Sequence, residues 1–165
     1  MKTLKQTEIS KDLANNKVKV VREFDASLEE VWRAWTESEL LDLWWAPKPW
    51  KAITKYMDFR EGGYWLYVME GPEGDQSWCR DDYKIIVPHH SITAIDAFCD
   101  ENGVRTPDLP LMYWYNQFLE TDSGVKIVIE LTFDTAEDMQ KIVEMGFEEG
   151  FTAALGNLDE LLARD

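Results

Sequence analysis

The sequence predicts a single α+β domain in which one curved antiparallel sheet packs against a long C-terminal helix. Six or seven short segments of β type follow one another between residues 18 and 133, and the turns between them are too short for parallel pairing. Residues 135–163 instead repeat apolar side chains every three or four positions, which is typical of an amphipathic helix. The length of 165 residues fits one domain, which we place at residues 17–165 behind a polar leader of residues 1–16 that is free to flex.

The first third of the chain predicts a strand followed by two short helices. Alternating side chains at residues 18–24 indicate the strand. Ser27 and Glu30 have the spacing of a capping box, which predicts the start of the first helix. A second helix is expected over residues 38–45, because the prolines that follow prevent its continuation.

The middle of the chain changes to the two-residue period of strands. The predicted strands cover residues 51–59, 64–69, 77–87, 91–99, 111–120 and 125–133. Gly146, Gly150 and Gly156 interrupt the apolar pattern of the last helix. Glycine destabilises a helix interior by about 0.5–1 kcal/mol relative to alanine. These glycines therefore indicate either a close approach of the sheet or space left for a ligand.

The chain is rich in aromatic residues, with 8 Trp, 6 Tyr and 7 Phe. Strand alternation and helical spacing direct one set of large side chains into the space between the sheet and the last helix. This set is Trp65, Tyr67, Met69, Tyr83, Phe98, Trp114, Phe118, Phe147 and Phe151. Such a set forms either an ordinary packed core or the wall of a ligand cavity. The helix glycines and the methionines favour an interior that the side chains do not fill.

A few polar residues could contact a ligand in that space. Asp58 and Arg60 share a strand face, so they either organise the following turn as an ion pair or offer polar contacts. Glu130 is expected to point outward, whereas the pattern leaves the direction of Asp96 open. The charged run at residues 80–82 is expected to lie in solvent.

Two further groups of residues have alternative interpretations. Trp44, Trp45 and Trp50 lie among prolines and could form a lid or an exposed apolar patch for a protein partner. His89 and His90 are adjacent in a turn, which favours solvated turn residues over a catalytic base or a metal site. We therefore expect no catalytic residues, no metal and no cofactor.

Composition and charge exclude several classes of partner. The net charge of −15 argues against nucleic acid and against anionic membrane surfaces, since both require a basic face. No stretch has the roughly 20 apolar residues of a membrane span, and the N-terminus lacks the apolar core of a secretory signal. We expect a cytoplasmic protein in which Cys79 and Cys99 are free thiols, with a cross-strand disulfide as the alternative.

A series of short motifs resembles the Hsp90-ATPase-activator-homologue-like family of the START-like (SRPBCC) superfamily. They are Arg22–Ser27, Val31–Thr36, Leu43–Pro47, Met57–Gly63 with Trp65, Tyr83 with Ile86–Pro88, Phe133, and Gly146–Phe151. The resemblance covers about residues 18–163 and implies the helix-grip fold. It differs from the family at Phe151, where a Trp is usual.

The resemblance implies three functions, between which the fold alone does not choose. The first is non-catalytic binding of a small hydrophobic or aromatic molecule between sheet and C-terminal helix, which we favour. The second is an interaction module for the Hsp90 chaperone, as the family's namesake implies. The third is a polyketide-cyclase-like enzyme, in which Asp58, Asp96 or Tyr67 would act as acid or base.

Overall fold

The computed structural model describes residues 6–163, in which one antiparallel sheet of eight strands packs with four α-helices. The strands are β1 (Glu8–Asp12), β2 (Lys17–Phe24), β3 (Lys51–Met57), β4 (Tyr64–Glu70), β5 (Gln76–Val87), β6 (Ser91–Cys99), β7 (Met112–Glu120) and β8 (Val125–Thr132). The helices are α1 (Leu28–Thr36), α2 (Ser38–Trp44), α3 (Ala136–Glu144) and α4 (Phe147–Leu162).

The sheet is a meander closed by the N-terminal strands. Its order is β1-β2-β8-β7-β6-β5-β4-β3, so the six strands β3 to β8 are sequential neighbours and β8 then pairs with β2. The α+β class and the antiparallel meander are therefore confirmed, whereas the expected number of six or seven strands is too low. The additional strand, β1, lies within the predicted leader of residues 1–16 and pairs with β2, placing Ile9 opposite Val20. Most of its side chains are exposed, so it shows no hydrophobic alternation.

The capping box predicted at the start of α1 is present. The Ser27 hydroxyl accepts a hydrogen bond from the Glu30 backbone N–H at 3.1 Å, and the Glu30 carboxylate accepts one from the Ser27 N–H. These bonds satisfy backbone donors that have no partner within the helix. The helix then turns Val31, Trp32 and Trp35 into the core against the sheet.

The prediction of one long C-terminal helix is wrong, because the chain breaks between α3 and α4. Gly146 adopts a left-handed conformation with φ of +92°, which ends α3 and starts α4 in a new direction. The start of α3 is as expected, since the Thr135 hydroxyl accepts a hydrogen bond from the Asp138 N–H at 3.0 Å. The apolar repeat runs on across the break, so periodicity did not reveal it.

Trp44, at the end of α2, and Trp45 and Trp50 after it pack in or against the core, so the expectation of an exposed apolar patch is wrong for them. Trp44 and Trp45 are buried, and the Trp44 indole N–H donates to the Ala34 carbonyl at 2.9 Å. Trp50 is half-buried, and its ring covers Gly71, where an added Cβ would come within 3.0 Å of it. Aromatic rings are strongly stabilising when buried, and the prolines between these residues shape the chain around the ring cluster rather than exposing it.

The loop that follows α2 is tied to α4, which fixes one side of the interior. The Asn157 side-chain amide donates to the Ala46 carbonyl at 2.9 Å, and α2 and α4 are in contact. No helix in the described part of the chain is long and apolar enough to span a membrane.

Candidate functional site

A cavity of about 220 Å³ lies between the sheet and the α3–α4 pair. Strands β4 to β7 supply its floor, α3 and α4 its roof, and the loop after α2 one side. Its lining is mainly aromatic and apolar: Trp45, Pro47, Tyr67, Met69, Ser77, Cys79, Asp96, Phe98, Met112, Trp114, Ile142, Met145, Gly146, Phe147, Gly150 and Phe151. The side chains around this space therefore suit an apolar molecule.

Most of the residues expected to face this space do line it. Six of the nine, Tyr67, Met69, Phe98, Trp114, Phe147 and Phe151, contribute to its wall. Strand alternation found the four on β4, β6 and β7 because their strands present one face to the helices. Helical spacing found the two on α4.

Three of the expected residues lie elsewhere. Trp65 and Tyr83 border a second cavity of about 30 Å³ further along the sheet. The ring of Phe118 packs beneath α1, with its centroid 5.1 Å from that of Trp32 and 5.9 Å from that of Trp35. The alternation gave the correct face for all three, but it carries no information on position along the sheet.

Asp58 and Arg60 do not reach the cavity. They form an ion pair with 2.6 Å between Arg60 Nε and Asp58 Oδ2, and the Arg60 side chain is largely exposed. Backbone hydrogen bonds from Arg60 to Asp58 and from Gly63 to Arg60 close the same turn between β3 and β4. The pair therefore organises this turn, and its expected alternative as a polar contact to a ligand in the cavity is wrong.

The cavity wall is held rigid by contacts between its rings. The Trp45 indole N–H donates to the Tyr67 hydroxyl at 2.9 Å, and the Trp65 ring stacks on Tyr67 at 3.9 Å. On the roof, Phe147 and Phe151 stack with centroids 5.4 Å apart. Preformed walls of this kind lose little side-chain freedom when a ligand binds.

Cys79 and Tyr67 place weakly acidic groups in the wall, and both keep their protons. Burial raises the pKa of the Cys79 thiol and of the Tyr67 hydroxyl well above their usual values. A thiol that is not ionised is a poor nucleophile, so Cys79 acts here as a small apolar wall residue.

The cysteines are both free, as expected. Cys79 lies opposite Phe98 on the neighbouring strand and Cys99 lies opposite Trp78, so the two thiols point to opposite faces of the sheet. The disulfide alternative is thereby excluded. Burial also raises the pKa of Cys99, to about 11.

Two carboxyl groups, Asp81 and Asp96, are buried next to each other beneath the cavity. They are directly opposite in the register of β5 and β6, and their side chains are close enough to share a hydrogen bond. Oδ1 of each has no hydrogen-bond partner within residues 6–163. Burial raises the pKa of Asp81 to about 7 and that of Asp96 well above its usual value, and the neighbouring carboxyl raises the latter further.

Asp96 lines the large cavity, while Asp81 lines the small one behind it. The structure thus resolves the direction of Asp96 as inward, and it corrects the expectation that the 80–82 run lies wholly in solvent. Asp81 shares its face with Cys79 and Tyr83, two residues away on either side. This alternation could have predicted that Asp81 points inward. The charged residues on either side of it, Arg80 and Asp82, instead made the segment resemble a solvent-exposed run.

The other singled-out polar residues lie outside the cavity. Glu130 points outward as expected and pairs with Lys17 at 3.1 Å. His89 and His90 occupy the turn between β5 and β6, where the His89 ring packs on Trp32. In the part of the chain that the structure describes, no group of three or more His, Cys, Asp and Glu side chains is placed to hold a metal ion.

Comparison with known proteins identifies the family. The sequence pattern of the activator of Hsp90 ATPase homolog 1-like proteins matches residues 25–163. The chain belongs to this family. The activator of Hsp90 ATPase homolog 1-like family is the one that the sequence motifs resemble, so that prediction is confirmed, and with it the START-like class of the fold. No curated protein matches the chain.

Solved structures with this fold include several bacterial relatives at about the same level of identity. Protein Ms6760 from Mycobacterium smegmatis is 28% identical with a TM-score of 0.89, over 96% of this chain and 98% of that one. A protein from Arthrobacter aurescens is 30% identical with a TM-score of 0.90, over 96% and 92% of the two chains. Protein NE0264 from Nitrosomonas europaea is 28% identical with a TM-score of 0.80, over 90% and 95%. The match to the activator of Hsp90 ATPase homolog 1-like family therefore extends through the whole fold.

Proposed function

We propose that this protein binds a small hydrophobic or aromatic molecule, without transforming it, in the cavity between the sheet and the α3–α4 pair. The observation that carries the proposal is the cavity itself, an unfilled space of about 220 Å³ walled by interlocked rings. Empty volume destabilises a fold because the lining atoms lose contacts. A ligand restores those contacts, so a protein that keeps such a space gains stability when it binds one.

The volume limits the size of the ligand. An apolar protein cavity of about 150 Å³ is known to hold benzene, whereas sites for drug-sized molecules begin near 300 Å³. A cavity of about 220 Å³ therefore suits one ring with a short substituent, or two small fused rings.

The two alternatives have less support. Of the three groups that the cyclase-like alternative names, Asp96 lines the cavity, Asp58 lies outside it, and Tyr67 holds its proton tightly. The chaperone-binding alternative rests on the family's namesake, and two of the tryptophans expected to offer a patch for a protein partner, Trp44 and Trp45, are buried.

A pair of glycine variants tests the proposal. Gly150 and Gly156 lie on the same helix and are both half-buried, but only Gly150 lines the cavity. Leucine at either position removes a helix-destabilising glycine, and an added Cβ meets nothing closer than 3.8 Å at Gly150 and nothing within 4 Å at Gly156. Gly150→Leu fills part of the cavity, and Gly156→Leu is the matched control.

We expect indole and 1-naphthol to raise the melting temperature of the wild type and of Gly156→Leu, and to have much less effect on Gly150→Leu. A ligand at 100 times its Kd adds about 2.7 kcal/mol, which corresponds to roughly 5–10 °C for a domain of this size. Thermal unfolding and isothermal titration calorimetry measure this. Equal shifts in the two leucine variants, or none in the wild type, would overturn the proposal.

A further inference from the structure

The cavity contains a polar feature that binding of a purely apolar molecule leaves unexplained. Asp81 and Asp96 are 9% and 3% exposed, and each keeps one oxygen without a hydrogen-bond partner in the described part of the chain. Buried carboxyl groups are normally paired or hydrogen-bonded, because an unsatisfied one is costly to keep. Asp96 presents its side chain to a space large enough to hold a partner.

No basic side chain supplies that partner. Within residues 6–163, no Lys, Arg or His makes an ion pair or hydrogen bond with either carboxyl group. The nearest guanidinium along the strand, that of Arg80, bonds to Asp82 at 2.9 Å on the opposite face of β5. Asp96 therefore faces the cavity, and no basic side chain of the described residues balances the negative charge that the pair acquires when it ionises.

The other groups around the pair suit a positive charge. Tyr67 on β4, Cys79 on β5 and Trp114 on β7 face it from the neighbouring strands, and none is cationic. The Trp114 ring borders both cavities, and its indole N–H lies beside Asp96 without a formed hydrogen bond. Aromatic faces attract cations, and the more so where water is excluded. The described lining from α3 and α4 is uncharged.

We propose that the ligand of the cavity is an organic amine, whose ammonium group binds Asp96 while its apolar body packs against the rings of the wall. Asp81 acts behind Asp96 as a positioning residue, because it lies directly opposite Asp96 in the register of β5 and β6 and does not line the large cavity. The inference rests on the proposed function and narrows its ligand class. The net charge of −15 also favours the approach of cations over anions.

The proton balance gives the binding a distinctive pH dependence. Because their pKa values are raised, to about 7 for Asp81, the two carboxyl groups retain protons to a higher pH than isolated carboxyl groups do. An ammonium group stabilises the ionised pair, so its binding releases a proton to solvent. Amine affinity should therefore rise with pH through about 7, by up to tenfold per unit, until the amine itself loses its proton near pH 10.

Three probes of similar size test the inference in the full-length protein: 2-phenylethylamine, the neutral 2-phenylethanol and the anionic 3-phenylpropanoate. We expect the amine to bind about 10- to 100-fold more tightly than the alcohol at pH 8, which is the range of a hydrogen bond to a charged group. The propanoate should bind most weakly. Calorimetry gives the affinities, and titrations in buffers of different ionisation enthalpy count the released protons.

Asp96→Asn and Glu130→Gln form the variant pair. Both remove one formal charge with little change of shape, but Glu130 points outward from β8, where it pairs with Lys17. Asp96→Asn should lose the preference for the amine and keep binding of the alcohol, while Glu130→Gln should bind all three probes as the wild type does. If Asp96→Asn does not fold, the pH profile of the wild type decides.

The outcomes separate this inference from the proposed function. Three results would overturn the inference that the ligand is an amine, while leaving the proposed binding of an apolar molecule in place. They are equal affinities for amine and alcohol, an amine affinity that does not depend on pH, and an unchanged preference for the amine in Asp96→Asn. Binding of indole without binding of 2-phenylethylamine would do the same. If neither indole nor any of the three probes binds, both the inference and the proposed function fail.

Discussion

At the scale of single residues, the Asp81–Asp96 pair makes stability depend on pH. A carboxyl group with a raised pKa in the folded state contributes stability that is complete below its unfolded value and is lost as pH rises through the folded value. For Asp81 that window runs from about 4 to about 7. Ionisation of the pair therefore lowers the free energy of unfolding as the pH approaches neutrality.

We predict that Asp81→Asn flattens this dependence. The free energy of unfolding of the wild type should fall with rising pH by up to about 1.4 kcal/mol per unit from this group, so the stability of the variant relative to the wild type should increase between about pH 4 and 7. Urea unfolding at several pH values measures the difference. Glu130→Gln is the control, because Glu130 lies on the outer face of β8 paired with Lys17, and its difference from the wild type should change little. Parallel curves for Asp81→Asn and the wild type would contradict the assignment.

At the scale of elements, the break between α3 and α4 depends on one backbone conformation. Gly146 has φ of +92°, a region that residues with a Cβ rarely adopt. The break sets the angle between the two helices that form the roof of the cavity. A helix running straight through residue 146 would carry Phe147 and Phe151 to different positions over the sheet.

We predict that Gly146→Ala destabilises the protein by about 1–2 kcal/mol, the order of the left-handed penalty for an L-residue. Gly156→Ala should instead be neutral or stabilising by up to about 1 kcal/mol, since its Cβ would meet open space within a helix. Denaturant unfolding of the two variants measures both effects. Equal stability of the two alanine variants would show that the conformation of residue 146 is not under strain.

At the scale of the whole molecule, a buried ion pair joins the C-terminal helix to the N-terminal part of the sheet. Arg22 on β2 is 4% exposed and bonds to the Asp159 carboxylate on α4, to the Glu23 carbonyl and to the Thr7 hydroxyl. The residue after Asp159, Glu160, also has a partner, but its pair with Lys48 is exposed. The acidic residues of the two ion pairs are neighbours on α4, so the pairs differ mainly in burial: the pair of Arg22 is buried and the pair of Lys48 is exposed.

We predict that Asp159→Ala lowers the free energy of unfolding by about 3 kcal/mol or more, because it leaves a buried guanidinium without its partner. Glu160→Ala should lower it by less than about 1 kcal/mol, as is usual for exposed pairs. Urea unfolding at neutral pH measures both. A small effect of Asp159→Ala would mean that the Glu23 carbonyl and the Thr7 hydroxyl are enough to stabilise the buried guanidinium of Arg22.

The sequence predicted most of the fold because its signals were local. Turns, alternation on β8 and the Ser27–Glu30 box depend on near neighbours, and each is present as expected. The polar edge strand β1 was missed, since its stability comes from pairing with β2 rather than from burial. The break at Gly146 was missed because glycine is compatible with both a continued and an ended helix.

The site was only partly predictable for a similar reason. Alternation identifies which face a side chain is on, which was enough for Tyr67, Trp114 and Phe98. It does not show where along the sheet the helices leave space, so Tyr83 was assigned to the cavity and Trp45 was not. The carboxyl pair required the register of β5 against β6, which depends on a bulge between Tyr83 and Ile85.

The unfilled cavity also affects how the protein responds to pressure. A folded chain that encloses empty space occupies more volume than its atoms require, and unfolding releases that volume to water. Pressure therefore favours the unfolded state of this protein in proportion to the cavity it keeps. An occupant that fills the cavity reduces this volume change, so the bound form should unfold at a higher pressure than the free form.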